Sequence, residues 1–207
     1  MHDSFEKNFC RRHSPGVYEK MKASSVAIAG LGGLGSNIAV MLARMGVGRM
    51  LLVDFDLVES SNLNRQHYST KHLKQKKTDA IKSQLAEINP FVELNTRDVV
   101  ITDENAADVF RGYPIVVEAF DDPISKAQLV QTLLSAGKTI IVAASGMAGI
   151  GSANEIRTQR RFKNFYLCGD LVSEPSESMG LMAPRVIACA AHQANVVVRL
   201  LMGLDAE

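Results

Sequence analysis

The sequence predicts an α/β protein with a doubly wound, mainly parallel sheet and helices on both faces. Two observations carry this prediction: short apolar runs alternate with longer segments of helical periodicity, and glycines follow the first run directly. Strands that are buried on both faces of a parallel sheet are continuous apolar runs, as these are. Crossovers between parallel strands are right-handed, which gives the doubly wound arrangement.

The elements in the first part of the chain follow in order. Five apolar runs are predicted as strands, at residues 25–29, 50–53, 92–100, 115–119 and 139–143. Four segments with helical spacing lie between them, at residues 34–45, 71–88, 103–110 and 125–136. Gly46 is expected to end the first helix, and Asp103 is a candidate cap for the third.

The pattern changes after Gly149. Residues 152–158 alternate like an exposed strand, residues 160–164 read as a basic loop, and residues 183–202 have the spacing of a last helix. A single domain over residues 1–207 is therefore predicted. It consists of an N-terminal segment (1–24), a core (25–149), and a C-terminal extension (150–207) with a strand, a crossover and a helix.

Composition excludes several classes of protein. The chain has 207 residues, of which 46% are hydrophobic and 22% charged, as in an ordinary soluble globular protein. Its 23 basic and 22 acidic side chains lack the excess of positive charge that a nucleic-acid binder needs. The three cysteines, Cys10, Cys168 and Cys189, are too widely spaced for a disulfide framework or a CxxC metal site.

Targeting and membrane segments are not expected either. Residues 1–14 are polar and lack the apolar run of a signal peptide. The longest apolar stretch, residues 186–202, contains polar groups that would be costly in hydrocarbon, so it is predicted to be a packed helix. A cytoplasmic location without a membrane or nucleic-acid partner is the expectation.

A glycine-rich turn supplies the first chemical signal. Gly30, Gly32, Gly33 and Gly35 lie between the first strand and the first helix, where they permit a tight turn and leave the helix N-terminus open to a phosphate. Asp54 ends the second strand, where a Rossmann-like fold places the carboxylate that binds ribose hydroxyls. Together these features indicate a nucleotide or dinucleotide site in the core.

Positive charge after the second strand favours a nucleoside triphosphate. A triphosphate carries more negative charge than a diphosphate, and its transfer builds further charge on the phosphorus that is attacked. Arg65 offers a planar fork for phosphate oxygens, and Lys77 offers a movable point charge. Lys71 and Lys74 are better explained as a solvated helix face. An NAD-dependent oxidoreductase stays an alternative on the glycine turn and Asp54 alone.

Five motifs resemble the ThiF/MoeB/HesA family, relatives of the ubiquitin-activating enzymes, and are most similar to its short ThiF variety. They are GLGGLGSN (30–37), DFDLVESSNLNRQ (54–66), KTDAIKSQLAEINP (77–90), EAFDDP (118–123) and GLMAPRV (180–186). The resemblance implies a site for ATP. Its members are Gly30, Gly32, Gly33, Gly35, Asp54, Asp56, Asn62, Arg65, Gln66 and Lys77.

The resemblance also implies a reaction. ATP would adenylylate the C-terminal glycine carboxylate of a small ubiquitin-like sulfur carrier ending in Gly-Gly, with release of pyrophosphate. The carrier would be ThiS-like, in thiamine (thiazole) biosynthesis, or alternatively MoaD-like. Asn62, Arg65 and Lys77 would contact phosphates, and Asp121, with Asp122 as competitor, would bind Mg²⁺. A carboxylate is already ionised at neutral pH, so His67 and His72 are not needed as bases.

The resemblance implies a homodimer in which an N-terminal arginine acts across subunits. Arg12 is the candidate and Arg11 the alternative, because the spacing of this segment is shortened. A sulfur donor or thiazole synthase is a further possible partner. A noncatalytic module that binds a carrier or a nucleotide stays an alternative function.

Three features depart from or extend the family pattern. Two CxxC pairs that hold zinc in many relatives are missing, so no zinc is predicted. Cys168 is the candidate for a persulfide or thioester link to the carrier, although a free cysteine is more often a buried apolar residue. Residues 169–180, rich in Ser and Glu, are expected to form a mobile crossover above the site.

Overall fold

The computed structural model describes residues 2–137 and 139–205, and its main element is a seven-stranded sheet. The strands lie in the order β3-β2-β1-β4-β5-β7-β6, and every neighbouring pair is parallel except β6 with β7. Their bounds are β1 Ser25–Ala29, β2 Arg49–Asp54, β3 Glu93–Asp98, β4 Ile115–Glu118, β5 Ile140–Ala144, β6 Arg157–Phe162 and β7 Phe165–Gly169.

Helices cover both faces of this sheet. Their bounds are α1 His2–Phe9, α2 Val17–Lys22, α3 Gly35–Arg44, α4 Lys77–Ile88, α5 Asp103–Val109, α6 Pro123–Ala136 and α7 Ala183–Leu201. The strand residues alternate between two cores: Val26 and Ile28 pack in the core that contains α3, α4 and α7, while Ala27 and Ala29 pack in the core that contains α5 and α6. The predicted fold class, a Rossmann-like doubly wound sheet, is confirmed.

The sequence pattern placed the core strands correctly and missed one helix boundary. A helix was predicted over residues 71–88, whereas α4 begins at Lys77, and residues 70–72 form a separate 3₁₀ turn. Lys74 has φ 66, which is outside the helical region, and Leu57 forms an antiparallel bridge with Lys76. The bridge holds the chain extended up to the first residue of α4, so the helix cannot begin earlier.

Two further local expectations were wrong. The N-cap of α5 is Thr102 rather than Asp103, and the backbone N–H of Thr102 donates to Oδ1 of Asn105 at 2.9 Å. In the extension, residues 160–164 are not a loop, because β6 continues to Phe162 and β7 follows after a tight turn. The short apolar run 165–168 between Asn164 and Gly169 was the available signal for β7.

The C-terminal helix α7 fastens the extension to the core. It packs against α3 and against β5, β6 and β7, and Gln193 donates from Nε2 to the carbonyl oxygens of Glu118 and Val142, both at 3.0 Å. No helix in the described part of the chain is long and apolar enough to cross a membrane.

Candidate active site

The glycine turn after β1 is shaped by two backbone contacts that tolerate no side chain. Gly30 has φ 93, and a Cβ there would lie 2.7 Å from the carbonyl oxygen of Ala119. A Cβ on Gly35 would lie 1.8 Å from the carbonyl oxygen of Gly30. Gly32 differs, because a Cβ there would meet only Nε2 of Gln66, at 3.8 Å. Gly30 and Gly35 therefore serve the fold, while Gly32 leaves open space at the pocket surface.

This contrast gives a matched pair of variants. Gly35→Ala is expected to lower the free energy of unfolding by about 3 kcal/mol or more, because a methyl group would overlap backbone. Gly32→Ala is expected to keep the wild-type melting temperature but to weaken ATP binding, since its methyl group projects into the space where a phosphate would approach. Thermal unfolding and titration calorimetry with ATP measure the two effects. A stable Gly35→Ala protein would contradict this account of the turn.

Asp54 holds the glycine turn through hydrogen bonds to the backbone. Its Oδ2 accepts from the backbone N–H of Leu31 at 2.6 Å, and its Oδ1 accepts from the backbone N–H of Asp56 at 2.8 Å. The side chain is buried, and burial raises the pKa of Asp54 against the opposing charge of Lys77. Asp54 therefore positions the backbone of the turn, and because each oxygen accepts a single N–H and the residue lines the pocket, the ribose contact expected from the sequence stays a prediction.

Asp56 and Lys77 form the charged pair that faces the pocket. Nζ of Lys77 lies 2.6 Å from Oδ2 of Asp56, and the backbone N–H of Lys77 donates to the carbonyl oxygen of Asp56 at 2.9 Å. Only 7% of the Lys77 side chain is exposed, whereas 48% of Asp56 is. The ammonium group is therefore held in one place at the start of α4, with an accessible carboxylate beside it.

Arg65 and Gln66 lie against the glycine turn, and each has a polar side-chain atom without a hydrogen-bond partner among the described residues. A Cβ on Gly33 would lie 3.4 Å from Cγ of Arg65, so the arginine stem runs along the turn. Nε of Arg65 and Oε1 of Gln66 are buried and have no hydrogen-bond partner among the described residues. Buried polar atoms are normally satisfied, so these two are suited to a polar ligand in the pocket.

The turn and the Arg65 segment are joined by a residue that the motif contains but that was not given a role. Nδ2 of Asn37 donates to the carbonyl oxygen of Gly33 at 2.7 Å and to that of Arg65 at 3.0 Å.

Asn62 was expected at the phosphates. Instead, its Oδ1 accepts from the backbone N–H of Glu59 at 3.0 Å, and it is not among the residues that line the pocket.

The structure separates the two candidate metal ligands. Asp122 is the N-cap of α6, and its Oδ2 accepts from the backbone N–H and from Oγ of Ser125, both at 2.7 Å. Those bonds hold the pKa of Asp122 below its ordinary value. Asp121 is exposed and lines the pocket just beyond the end of β4. Asp122 lines the pocket as well, but it is engaged in the cap of α6, so Asp121 is the better candidate for a cation.

A buried ion pair shapes the turn that carries Asp121, and sequence reasoning missed it. Glu118 is fully buried at the end of β4, and its Oε2 lies 2.8 Å from Nζ of Lys126. Lys126 also donates to the carbonyl oxygen of Phe120 at 2.9 Å, and Oε1 of Glu118 accepts from the backbone N–H of Phe120 at 2.7 Å. The pair therefore closes the turn between β4 and α6. An acid that ends an otherwise apolar strand, with a lysine in the next helix, was the available signal.

These groups surround one cavity of about 880 Å³ at the C-terminal edge of the sheet. Its polar half lies beyond β1 and β2 and contains the glycine turn, Asp56, Arg65, Gln66 and Lys77. Its other half lies along and beyond β5 and β7, with Phe165, Leu167, Pro175 and Leu181 in its wall. Asp121 lies beyond β4, the strand between the two halves.

Cys168 does not have the environment of a nucleophile, which corrects its candidate role. It is fully buried on β7, 3.7 Å from Oγ1 of Thr158, and burial raises the pKa of its thiol to about 11. Cys189 is also buried, and its Sγ is 3.6 Å from the carbonyl oxygen of Cys168. Both cysteines are core residues between β7 and α7.

The remaining candidates lie away from the cavity. Arg11 and Arg12 are exposed in the turn after α1, and neither is among the residues of the pocket wall. His72 is buried, and its Nδ1 lies 3.0 Å from the backbone N–H of Ser69, which is a structural contact. His67 is half-buried outside the pocket wall.

A parallel sheet whose glycine turn, paired charges and free carboxylate converge at the C-terminal edge defines a Rossmann-like nucleotide-binding protein. More specifically, the chain belongs to the ThiF family, which it matches over residues 7–207. The resemblance predicted from the motifs is confirmed.

Curated relatives of the chain are longer proteins. It is 33% identical over 150 residues to the adenylyltransferase and sulfurtransferase UBA4 of Candida glabrata, covering 72% of this chain and 34% of that protein. It is 28% identical over 193 residues to UBA4 of Eremothecium gossypii, covering 89% of this chain and 43% of that protein. The chain thus spans less than half the length of these two relatives.

Two solved structures have the same fold. The E. coli tRNA N6-threonylcarbamoyladenosine dehydratase TcdA in complex with ATP superposes with a TM-score of 0.85 at 19% identity, covering 95% of this chain and 93% of that one. E. coli MccB with ATP superposes with a TM-score of 0.70 at 24% identity, covering 89% and 57%. At these identities the likeness shows the fold alone.

Proposed function

We propose that the protein transfers the AMP part of ATP to the C-terminal carboxylate of a small ubiquitin-like protein and releases pyrophosphate. One observation carries this proposal: Lys77 and Arg65 lie beside the glycine turn in the same cavity as the free carboxylate of Asp121. Membership of the ThiF family and the adenylyltransferase names of the UBA4 relatives support it.

In this proposal the triphosphate lies along the glycine turn. Lys77 and Arg65 neutralise its oxygens, and the unpartnered Nε of Arg65 and Oε1 of Gln66 supply further polar contacts. The ribose hydroxyls are assigned to Asp54, whose oxygens each accept one backbone amide and keep a second lone pair, and to the neighbouring Asp56, since both residues line the cavity. Asp54 also acts indirectly, through the position of Leu31 in the turn.

The residues around Asp121 fit Mg²⁺ that is bound together with phosphates. Within residues 2–137 and 139–205 no group of three or more His, Cys, Asp or Glu side chains could hold a metal ion by itself. Mg²⁺ commonly takes one or two carboxylates and completes its shell with phosphate oxygens and water. When bound, the ion neutralises phosphate charge. The task of the Glu118–Lys126 pair is to hold the Asp121 turn in place.

The chemistry requires positioning and charge but no protein base. An oxygen of the substrate carboxylate forms a bond to the α-phosphorus, and the bond from that phosphorus to the bridging oxygen breaks, with its electron pair leaving on pyrophosphate. The carboxylate is ionised at neutral pH, so it needs no deprotonation. In the described part of the chain no histidine lines the cavity, and Lys77 and Arg65 are placed to stabilise the charge that develops.

The finer identity of the partner is also a proposal. A ThiS-like carrier ending in Gly-Gly, in thiazole formation, is our first choice, and a MoaD-like carrier is the alternative. The sulfurtransferase in the names of the UBA4 relatives supports a sulfur carrier. A homodimer in which Arg12 or Arg11 reaches the partner's site, and contact with a sulfur donor or thiazole synthase, are further parts of this proposal.

Exchange of labelled pyrophosphate into ATP tests the reaction. We expect exchange with Mg²⁺ and a ThiS-like carrier, and no exchange when the terminal Gly-Gly of that carrier is deleted, because the attacking carboxylate is then displaced. A MoaD-like carrier in a parallel reaction separates the two partner classes. Binding of ATP without exchange in the presence of either carrier would contradict the proposal, and tight binding of NAD without ATP would favour an oxidoreductase.

A further inference from the structure

The segment that follows β7 crosses the mouth of the cavity. We call residues 170–182 the strap. They contain no helix or strand, and Ser173, Glu174, Pro175 and Leu181 line the cavity. These lining residues place the strap at the cavity, and two charged side chains hold it there.

Asp170, the first residue of the strap, organises its beginning. Its Oδ1 accepts from the backbone N–H groups of Val172 at 2.9 Å and Ser173 at 2.8 Å, and its Oδ2 accepts from Oγ of Ser173 at 2.5 Å. Oδ2 also pairs with Nη2 of Arg185. Leu171 is held between these contacts at φ 67, a conformation that a leucine rarely adopts.

Arg185 reaches this site from the first turn of α7. Both side chains of the pair are only 4% exposed, and Nη1 of Arg185 also donates to the carbonyl oxygen of Ser152 at 2.6 Å and lies 3.5 Å from Oε2 of Glu155. A cation near a helix N-terminus is disfavoured by the helix dipole, so local helix preference does not explain its position. Its planar fork joins the strap, the turn at residues 152–155 and α7.

The strap borders the half of the cavity that the nucleotide groups do not occupy. The backbone N–H groups of Asp170 and Leu171 donate to the carbonyl oxygens of Gly146 at 2.9 Å and Ser145 at 3.1 Å, in the loop after β5. β5 and β7 lie on one side of β4, whereas β1 and β2, which position the glycine turn and Asp56, lie on the other. The strap side is therefore the side of Asp121 that the proposed nucleotide groups leave open to a second substrate.

We propose that Asp170 and Arg185 are a positioning pair for the carboxylate substrate: they fix the strap so that it guides this substrate, and not ATP, into the cavity. The proposal rests on the adenylylation function above. Arg185→Lys keeps the charge but loses the fork, and Asp170→Asn keeps the shape but loses the charge. Neither residue lines the cavity or belongs to the groups proposed to bind ATP, so we expect both variants to keep the ATP site.

The test compares KM values in pyrophosphate exchange, with the Gly-Gly carrier that the wild-type protein uses as the probe. Each variant is expected to raise the KM for the carrier by about tenfold or more and to leave the KM for ATP within about twofold, which a general loss of structure would not do. Hydrogen exchange at the amides of Val172 and Ser173 should be faster in both variants, because their acceptor is no longer held.

Glu155→Gln is the matched control, because it removes a carboxylate near Arg185 without touching the strap, and the KM for the carrier should stay unchanged. If a single variant does not fold, the double variant Asp170→Leu with Arg185→Met replaces it. This variant removes both charges of the pair together, a change that protein cores often tolerate. It should show the same rise in the KM for the carrier. If folded variants keep the wild-type KM for the carrier, the proposed role of the Asp170–Arg185 pair is wrong, while the proposed function of the protein still stands. Absence of exchange by the wild-type protein overturns the proposed function instead.

Discussion

Asp121→Asn is expected to slow Mg²⁺-dependent pyrophosphate exchange by about 100- to 1000-fold, the range typical for removal of one electrostatic contact in an active site. Asp121 is exposed, lines the cavity and has no part in the cap of α6, so the substitution should leave the melting temperature unchanged. The loss should be smaller at high Mg²⁺ concentration, because a neutral amide oxygen is a weaker ligand rather than an absent one.

Asp122→Ala provides the matched control. It removes the carboxylate next in sequence, which caps α6 through two hydrogen bonds from Ser125. We expect a lower melting temperature and nearly wild-type exchange per folded molecule, since the cap is structural. Exchange that survives Asp121→Asn but fails in folded Asp122→Ala would reverse the assignment of the two residues.

Lys77→Met is the second substitution with a large expected effect, a decrease in exchange of about 100- to 1000-fold. Methionine fills a similar volume and suits a side chain that is 7% exposed, so the fold should be kept. The substitution removes the ammonium group, which lies 2.6 Å from Oδ2 of Asp56. The site then lacks a positive charge at the place where negative charge develops on the phosphates. Exchange assays and calorimetric ATP titration measure the loss.

Lys76→Met changes the neighbouring lysine as a control. That side chain is 52% exposed and pairs with Asp98 on the surface, and exposed pairs contribute little. Exchange and ATP affinity should match the wild-type values. Equal losses in the two variants would indicate a general effect of positive charge, and they would argue against a specific role for Lys77.

Much of the fold could be predicted because it depends on short-range patterns. The runs at residues 25–29 and 115–119 are apolar on both faces, and this is sufficient to recognise buried parallel strands. The apolar run at residues 165–168 was a local signal for β7, but its place between β5 and β6 depends on the order of strands in the sheet. The start of α4 was placed too early because the bridge between Leu57 and Lys76 joins segments far apart in the chain.

The candidate site could be predicted as a set of residues but not as a set of roles. Gly30, Arg65, Lys77 and Asp121 do line one cavity, as the motifs indicated. Cys168 could not be judged from its neighbours in sequence, because its burial depends on α7 packing across β7. The Asp170–Arg185 pair was missed for the same reason, since neither residue has its partner nearby in the chain.

The sequence by itself determined the glycine turn, the alternation of strands and helices, and the family, because each depends on residue types at fixed short spacing. Tertiary structure decided which partner each carboxylate has. All four acids line the cavity, but Asp54 and Asp122 accept backbone amides that folding brings within 2.6–2.8 Å, Asp56 pairs with Lys77, and Asp121 has no part in the cap of α6. The physical reason is that a carboxylate binds the donors nearest to it in space, and that neighbourhood exists only after the sheet has assembled.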